Sequence, residues 1–515
     1  MEELYSSATA LLNSRRRKTR PSLTGGSKIH GLDSMPSING TPSLKGTPSL
    51  IGVREWLQEL GHSDDDLNRL NVIHVSGTKG KGSTCAFVNS FLKAHGERTG
   101  FPRKIGLYTS PHLKYVQERI QIDSRPMSEI LFAKYVFEVW HGLSGKISPG
   151  PRYLQLLFLI SVHAFIREGI DVAIYETHSG GEYDATNVIQ KPVVTGVTTI
   201  GMDHVEQLGP LIENIAWHKA GIFKPDSPAF STFQEPAVAT VLQQRAKEKN
   251  VALQFIGVNP TLPHDAWALK PEVQKMNCSL GIALASTFLQ VKAPRDCCTL
   301  TSQDIVQGLE QFLWPGRFHR IVDGNHQWFL DGAHNELSIP KAAQWFVGAT
   351  LEGQGYQDLS DPNKVEVEAD VSNTSPPCTR VLIFSHISVR DGAALLKGVA
   401  QALHRGGVQI QHVILSTYEQ QQDGAASMDP CSKIPEQPFS AELQKDYIEA
   451  YRSIDPDVRI STEPTIEGAL NLARETGSRD DRMHALVTGS LYLIGGALRL
   501  LEKDTQGIIP NNIAA

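Results

Sequence analysis

The chain has 515 residues, enough for two or three domains, and its 40% hydrophobic and 20% charged residues are typical of a globular protein. Its formal net charge of −6 argues against a general polyanion binder, so we expect no nucleic-acid partner. No run of about 18 apolar residues is present, so no membrane span is predicted. The six cysteines include no C-x-x-C pair, which favours reduced thiols and an intracellular protein.

Residues 1–50 are predicted to form a helix followed by a flexible segment rich in Ser, Gly, Thr and Pro. The basic run at 14–20 is compatible with a mitochondrial presequence, but Glu2 and Glu3 disfavour one. The sequence at 40–44 nearly recurs at 46–50, which is typical of linker material. We therefore expect a cytoplasmic protein, with mitochondrial import as the alternative.

A glycine-rich loop follows the apolar run at 72–75. It reads G-T-K-G-K-G-S-T from Gly77 to Thr84 and precedes a helix-like pattern. A strand, a glycine loop, a lysine, hydroxyls and a helix in this order predict a phosphate-binding loop, because backbone amides at a helix N-terminus attract anions. Lys81 would reach the β- and γ-phosphates, with Ser83 or Thr84 close to the phosphates and Mg²⁺. The loop is irregular, because Gly82 separates Lys81 from Ser83.

Residues 51–312 alternate short apolar runs with amphipathic stretches. Strands are predicted at residues 72–75, 105–108, 172–175 and 193–198. Helices are predicted at residues 83–95, 128–142, 153–168 and 237–249. This alternation predicts βαβ units and a mainly parallel sheet, with the glycine loop at the carboxyl edge where such sheets bind ligands.

Residues 313–515 form a second block of the α/β type. Its strands are predicted at residues 328–330, 380–384, 412–416 and 485–488. Its helices are predicted at residues 339–346, 392–403, 441–452 and 465–474. Residues 351–378 are polar and acidic and are predicted to be a surface insertion, with a second loop at 419–437.

Polar residues follow two strands of the first block. Thr109, Ser110, Pro111 and His112 come after the strand at 105–108, in a pattern that on its own is more typical of a turn. Glu176 ends a buried strand, where a carboxylate is costly unless it is paired or binds a cation. It is therefore a candidate Mg²⁺ ligand, with helix capping as the alternative.

A third group follows the strand at 193–198. Asp203 and His204 end this segment, although such a pair also occurs in ordinary packing. Lys219 lies on an apolar helix face, and a desolvated lysine has a lowered pKa and can be chemically modified. In the second block, Arg317 can make bidentate phosphate contacts and Asp331 can accept ribose hydroxyls. Each of these two is equally compatible with a surface ion pair.

Taken together, the order of these motifs resembles the folylpolyglutamate synthase family, within the Mur-ligase-like ATP-dependent amide ligases. The resemblance covers nearly the whole chain, and the block from Asp203 to Ile222 is particularly specific. It implies a Mur-ligase-like, P-loop-containing domain at 51–312 and a smaller, Rossmann-like α/β domain at 313–515. It also implies a monomer in which domain closure completes the site.

The resemblance implies a reaction in which ATP drives the addition of L-glutamate to the γ-carboxyl of tetrahydrofolate through an acyl phosphate. By this resemblance the ATP phosphates are held by Gly80, Lys81, Gly82 and Ser83, with further ATP contacts from Arg317 and Asp331. The implied Mg²⁺ ligands are Ser110, Glu176 and His204, and a monovalent cation is a further expectation. Lys219 resembles the lysine that is carbamylated in the family, and His334 is expected near the phosphate or the incoming glutamate.

The chain departs from the family pattern where the pterin and glutamate are expected to bind. The family usually reads E-x-G-x-G-G after the strand, and here His178 stands at the first glycine of that pattern, followed by Ser179 and Gly180. In addition, Val273 replaces a histidine, Ser385 replaces an asparagine, and Tyr492 replaces a histidine. The alternatives are a ligase of the same mechanism acting on another acid, a dihydrofolate synthase, or a non-catalytic ATP-sensing protein. Because Lys81, Glu176, His204 and Lys219 are all present, the non-catalytic reading is disfavoured.

Overall fold

The computed structural model describes residues 2–16, 47–146, 150–351, 378–387, 391–420, 439–478, 480 and 482–505. The predicted insertion at 351–378 and the loop at 419–437 therefore lie outside the described residues, apart from their ends. The chain forms two compact units. The first contains residues 1–112 and 116–313, and the second contains residues 113–115 and 314–515.

The first unit is built on a sheet that has eight strands among the described residues. The strands are β1 (Ile73–Ser76), β2 (Ile105–Tyr108), β3 (Ile120–Ile122), β4 (Arg125–Pro126), β5 (Val172–Glu176), β6 (Val194–Val197), β7 (Ala229–Thr232) and β8 (Leu253–Ile256). Their order is β4-β3-β2-β5-β1-β6-β7-β8, and only the pairs β2–β3 and β3–β4 are antiparallel. The mainly parallel sheet predicted from the sequence is confirmed, with β1 between β5 and β6.

Helices cover both faces of this sheet, so β1, β2 and β5 are buried along their whole length. β2 and β5 therefore read mainly as apolar runs, whereas β1 also buries the polar residues His74 and Ser76. The helices are α1 (Glu2–Ser14), α2 (Val53–Glu59), α3 (Asp64–Arg69), α4 (Lys81–Thr99), α5 (Glu129–Leu143), α6 (Tyr153–Glu168), α7 (Val205–Leu208), α8 (Ile212–Lys219), α9 (Pro236–Glu248), α10 (Glu272–Lys292) and α11 (Ser302–Glu310). The predicted N-terminal helix is α1, and it buries Ala8 and Leu12 in the core that α5 and α6 form.

The second unit has a sheet of six strands among the residues that are described. The strands are β9 (His319–Asp323), β10 (His326–Asp331), β11 (Thr379–Phe384), β12 (His412–Ser416), β13 (Arg459–Glu463) and β14 (Met483–Thr488). The order is β13-β12-β11-β14-β10-β9, and only β9 runs antiparallel to its neighbour. Its helices are α12 (Ile339–Leu351), α13 (Gly392–Arg405), α14 (Ala441–Arg452), α15 (Ile466–Gly477) and α16 (Leu491–Thr505).

This second sheet is also α/β, as predicted. The α15 and α16 side is closed by a continuous apolar cluster that includes Trp328, Ile383, Val487 and Leu498. In the described part of the chain, no helix is long and apolar enough to cross a membrane.

Candidate active site

The glycine-rich loop joins β1 to the N-terminus of α4. Gly80 is the N-cap of α4 and has a left-handed φ of 91°. A Cβ atom at this position would lie 2.2 Å from Oδ1 of Asn277, on α10, and the left-handed backbone would strain any other residue, so both effects favour glycine. Lys81, Gly82 and Ser83 form the first turn of α4. The first backbone amides of a helix have no partner within the helix, so this loop presents amide donors as predicted.

The loop is held against the segment that follows β6. The backbone amides of Thr78 and Lys79 both donate to the carbonyl of Thr199, at 2.9 and 3.1 Å. The ammonium of Lys79 lies 3.1 Å from a carboxylate oxygen of Asp203. Sequence reasoning gave Lys79 no role, and only the fold shows that it ties the loop to this segment.

Glu176 lies at the carboxyl end of β5 and is only 3% exposed. Its Oε2 accepts hydrogen bonds from Oγ1 of Thr109 at 2.5 Å and from the backbone amide of Ser110 at 3.0 Å. Its Oε1 lies 3.8 Å from the ammonium of Lys81. Both hydrogen-bond donors belong to the loop after β2, so Glu176 links two strand ends and the lysine instead of capping a helix. The structure thus brings together Lys81, Ser110 and Glu176.

Lys219 is the last residue of α8 and is 3% exposed. Its ammonium donates to the carbonyl oxygen of Gly77 at 2.6 Å. Burial, and then the positive charge of Lys81, lower the pKa of Lys219 well below its usual value. Lys219 is therefore a buried lysine beside the glycine loop, and its role in the site stays a prediction.

His204 lies in the same segment as Asp203, but in the described part of the chain it is not hydrogen-bonded to the other two predicted Mg²⁺ ligands. It is exposed, has a left-handed φ of 52°, and its backbone amide donates to Oδ1 of Asp203 at 3.0 Å. No hydrogen bond joins it to Glu176 or Ser110 among the described residues. Across the same residues, no group of three His, Cys, Asp or Glu side chains has the arrangement of a metal site.

His178, one of the departures from the family pattern, fills the space between β2 and the loop after β5. Its Nε2 lies 2.5 Å from the hydroxyl of Tyr108, and its Nδ1 lies 3.3 Å from a carboxylate oxygen of Asp184. Asp184 also accepts the backbone amides of His178 and Ser179, both at 3.0 Å. Burial opposes ionisation of this carboxyl, but the charge and hydrogen bonds of His178 and the backbone amides hold the pKa of Asp184 well below its usual value.

Sequence reasoning missed the organising role of Asp184. The signal was present in the D-A-T run at 184–186, because an aspartate that accepts from the residue two positions later forms an Asx-turn. In the structure, its Oδ1 accepts the backbone amide and the hydroxyl of Thr186, at 3.0 and 2.8 Å.

In the second unit, Asp331 ends β10 and is 4% exposed. Its two carboxylate oxygens accept the backbone amides of Phe318 and Ala333, both at 2.9 Å. Burial raises the pKa of Asp331, and Arg317 acts in the opposite direction. Asp331 therefore shapes the turn that carries Arg317, where Phe318 has a left-handed φ of 48°, and it is not a surface ion pair.

The carboxyl edge of this second sheet carries the remaining predicted residues. Nδ1 of His334 lies 2.7 Å from the carbonyl oxygen of Gly332, next to Asp331. Ser385 directly follows β11, and its buried hydroxyl has no hydrogen-bond partner in the described structure. Tyr492 packs against Tyr418, with ring centroids 5.1 Å apart. Two of the departures from the family pattern thus follow β11 and β14 at this edge.

Three features define a nucleotide-binding enzyme of the P-loop type. They are a parallel α/β sheet with a glycine loop at a helix N-terminus, a buried strand-end carboxylate beside the loop lysine, and a second α/β unit.

No protein-family model matches the chain. Folylpolyglutamate synthase of Neurospora crassa is 40% identical over 471 residues, which cover 88% of this chain and 85% of that protein. Probable folylpolyglutamate synthase of Schizosaccharomyces pombe is 36% identical over 465 residues and 88% of each chain. The chain therefore belongs to the folylpolyglutamate synthase family.

Solved structures share the fold over almost the whole chain. Mycobacterium tuberculosis folylpolyglutamate synthase complexed with ADP has a TM-score of 0.68 at 21% identity, covering 97% of this chain and 98% of that chain. An FPGS–AMPPCP–folate complex has a TM-score of 0.62 at 22% identity, covering 96% and 99%. The two-unit, Mur-ligase-like fold expected from the sequence is confirmed.

Proposed function

We propose that this chain is an ATP-dependent ligase that adds L-glutamate to the γ-carboxyl of tetrahydrofolate. Membership of the family supports the reaction class, since relatives at 36–40% identity bear the name folylpolyglutamate synthase. The observation that carries the proposal is the arrangement at the N-terminus of α4. There Lys81 lies 3.8 Å from the buried Glu176, and the buried Lys219 donates to Gly77 of the same loop.

ATP is proposed to bind with its phosphates at this helix N-terminus. Gly80, Gly82 and Ser83 offer backbone amides in a turn that has no room for a Cβ at Gly80. Lys81, which is partly buried, supplies a positive charge that would stabilise the negative charge on the transferred phosphoryl group. The ADP and AMPPCP named with the related solved structures support this assignment.

The residues around Glu176 fit a Mg²⁺ ion. Oε2 of Glu176 is occupied by Thr109 and the amide of Ser110, which fixes the carboxylate, while Oε1 faces Lys81. Oε1 of this buried carboxylate and the hydroxyl of Ser110 together form the oxygen-rich donor set that Mg²⁺ prefers. We propose Glu176 and Ser110 as ligands, with His204 as a third. When bound, the ion would neutralise charge on the phosphate oxygens.

The proposed reaction has two steps. A γ-carboxylate oxygen of the folate attacks the γ-phosphorus of ATP, the bond to the bridging oxygen breaks, and ADP leaves. The amine of glutamate then attacks the carbonyl carbon of the acyl phosphate, phosphate leaves with the electrons of its C–O bond, and the amine loses a proton. Neither step needs a covalent bond to the protein, so the contribution of Lys81 is electrostatic and positional.

Lys219 is proposed to carry a carbamate. Carbamylation needs a neutral amine, because its lone pair forms the bond to the carbon of CO₂ and the nitrogen then loses a proton. The lowered pKa of Lys219 favours this neutral form, and Gly77 holds the nitrogen in place. The product is an anion in the region of Lys81, whose positive charge would stabilise it.

Arg317 and Asp331 remain proposed ATP contacts, and His334 remains a proposed contact of the phosphate or the glutamate. Because both oxygens of Asp331 accept backbone amides, we infer that Asp331 acts chiefly by holding the turn that presents Arg317. Arg317→Lys should then weaken ATP binding without unfolding the unit, whereas Asp331→Asn should lower both stability and affinity.

A second candidate is a ligase of the same mechanism that acts on a non-folate acid, and His178 is the observation that favours it. Where the family has a small glycine, this imidazole lies between Tyr108 and Asp184 and takes up space in the loop that follows Glu176. A smaller or differently shaped acid would be compatible with such a site. Dihydrofolate synthase activity is a third variant, and it differs only in the acid that is activated.

The experiment is a substrate screen with purified protein, ATP and Mg²⁺. With tetrahydrofolate and glutamate we expect release of ADP and phosphate and a folate lengthened by one or more glutamates, followed by mass spectrometry. Parallel reactions replace tetrahydrofolate with dihydropteroate or with non-folate γ-carboxylic acids, and a control omits the acid. Turnover only with a non-folate acid would reject the leading proposal in favour of the second.

A further inference from the structure

A group of basic side chains lies at the amino edge of the second sheet, far from the predicted nucleotide contacts. His484, on β14, pairs with Gln327 on β10 and with Arg380 on β11. Residues that pair across adjacent strands project to the same face of a sheet. Asp331 pairs with Thr488, four residues further along β14, which places it about 13 Å away at ~3.3 Å per residue.

His484 is the centre of this group. Its side chain packs against Phe329, with ring centroids 5.7 Å apart, and the residue is only 8% exposed. Neither Nδ1 nor Nε2 has a hydrogen-bond partner in the described part of the chain. A buried imidazole with both nitrogens unsatisfied is costly, and such groups in native proteins usually mark a missing ligand, ion or water.

Three arginines surround this histidine: Arg320, Arg380 and Arg482. Burial, and then the positive charges of Arg482, Arg380 and Arg320, lower the pKa of His484 to about 4. Nε of Arg380 is also buried and without a hydrogen-bond partner among the described residues. We name Arg320, Arg380, Arg482 and His484 the amino-edge cluster.

Two arginines of the cluster, Arg380 and Arg482, form no ion pair with a carboxylate of the described structure. Asp480 accepts a hydrogen bond from Oγ1 of Thr379 at 2.6 Å, next to Arg380, and its charge offsets part of the positive charge without an ion pair to either arginine. Like charges held together in a partly buried setting repel each other, so an anion that binds among them would relieve this repulsion.

We propose that the amino-edge cluster is a binding site for an oxyanion, either a carboxylate or a phosphate group. Guanidinium groups match the geometry of both groups with paired N–H donors, and a protonated His484 would add two further donors. The site is distinct from the proposed catalytic edge, because it lies at the opposite ends of the same strands. An anion bound there does not compete with ATP and is free to act as an effector.

Binding of the anion would be coupled to protonation of His484. The free imidazole is neutral near neutral pH because its pKa is about 4, and a bound anion favours the imidazolium. A bound anion therefore raises the pKa of His484, so affinity for an anion of constant charge rises as the pH falls. This signature separates a site that contains His484 from general attraction to arginines.

The test is isothermal titration of the full-length protein with sulfate, at constant ionic strength maintained with chloride, at about pH 7.5 and 5.5. We expect Arg380→Gln and Arg482→Gln each to weaken binding about tenfold, the usual size for loss of a charged hydrogen bond. The matched control is Arg405→Gln, which removes an exposed arginine at the end of α13 and should change nothing. His484→Gln should keep binding at the higher pH and lose its increase at the lower pH.

Two further titrations identify the chemical class of the anion that binds. Titration with inorganic phosphate and with succinate distinguishes a phosphate from a carboxylate, and tighter binding of either one supports the site. The histidine resonances in an NMR spectrum give a second measurement, since the His484 signal should shift on addition of sulfate even if a variant is unstable. Absence of sulfate binding, or equal affinity in Arg380→Gln, Arg482→Gln and Arg405→Gln, would overturn the proposal.

Discussion

The side-chain nitrogen of Lys219 donates to the carbonyl oxygen of Gly77 at 2.6 Å, so the end of α8 is joined to the first glycine of the phosphate loop. This contact has a chemical consequence. The lysine is 3% exposed, and the charge of Lys81 adds to the cost of protonating it. Both effects favour the neutral amine, and the contact with Gly77 holds it at a fixed point beside the loop, as the proposed reaction with CO₂ requires.

Carbamylation of Lys219 predicts that the protein gains the mass of one CO₂ when bicarbonate is present, detected by intact mass spectrometry under non-acidic conditions. Lys219→Met should abolish this gain and lower kcat by a factor of about 10²–10³, the usual effect of removing one electrostatic contributor. Lys224 is a matched comparison for the mass measurement, because it is also a buried lysine, with a pKa lowered by burial to about 8. A bicarbonate-dependent gain that persists in Lys219→Met and disappears in Lys224→Met would contradict the assignment.

Removing the loop lysine should slow catalysis strongly while leaving the fold intact. In Lys81→Ala the charge 3.8 Å from Glu176 is lost, and we expect kcat to fall by a factor of about 10²–10³. ADP release measures the rate, and circular dichroism measures folding. Lys93→Ala is the matched control on the same helix, since Lys93 is half-buried and its ammonium lies 4.0 Å from Glu97, away from the glycine loop. Near-normal turnover in Lys81→Ala would show that another group stabilises the phosphoryl transfer.

Much of the fold could be predicted because its strands are short apolar runs. Four elements were predicted with the bounds that the structure has: the strands at 105–108 and 412–416 and the helices at 153–168 and 441–452. Strand β7 was missed because only two of the four residues in A-F-S-T are apolar. Strand β8 was missed although three of the four residues in L-Q-F-I are apolar, because it is a short, partly buried strand at the sheet edge. Strand β9 lies at a sheet edge and is only partly buried, so its sequence shows no clear apolar run either.

The site could be predicted in its residue types but not in its contacts. Glu176 was identified because a carboxylate at the end of a buried strand needs a partner, yet nothing in the sequence shows that Thr109 is that partner. Asp331 was predicted to accept ribose hydroxyls, whereas its oxygens accept two backbone amides. Side-chain hydrogen bonds between distant loops depend on tertiary geometry, and motif spacing does not encode that geometry.

The glycine at the N-cap of α4 offers a test of how closely the loop packs against α10. Gly80→Ala should destabilise the protein and weaken ATP binding, because its Cβ would clash with Oδ1 of Asn277 at 2.2 Å. Gly100→Ala isolates the backbone term, since Gly100 caps the other end of α4 with a φ of 84° and has no atom within 4 Å of an added Cβ. We expect Gly100→Ala to cost about 1 kcal/mol and Gly80→Ala clearly more.

Urea unfolding and ATP titration of both variants measure these two effects. If Gly80→Ala and Gly100→Ala lose the same stability and both keep wild-type ATP affinity, the packing against Asn277 does not constrain the loop. A double variant, Gly80→Ala with Asn277→Gly, should recover part of the lost stability by removing the atom that clashes.

The buried histidine on β1 predicts how stability depends on pH. His74 has no solvent exposure, its Nε2 lies 2.9 Å from Oγ1 of Thr186, and burial lowers its pKa to about 3. The native state therefore keeps it neutral, whereas the unfolded chain binds a proton below the ordinary value of 6.5. The contribution to stability is fully present above that pH and is lost as the pH falls, at up to about 1.4 kcal/mol per unit.

We expect the free energy of unfolding in urea to fall between about pH 7.5 and 5.5, and to fall less steeply in His74→Gln than in the wild type. Gln retains a polar group for Thr186 but does not titrate. The difference between the two curves therefore gives the contribution of His74 protonation to the free energy of unfolding. The matched control is His264→Gln, because His264 is exposed and its substitution should leave the slope unchanged. Parallel curves for the wild type and His74→Gln would mean that His74 binds its proton equally well in the folded and unfolded states.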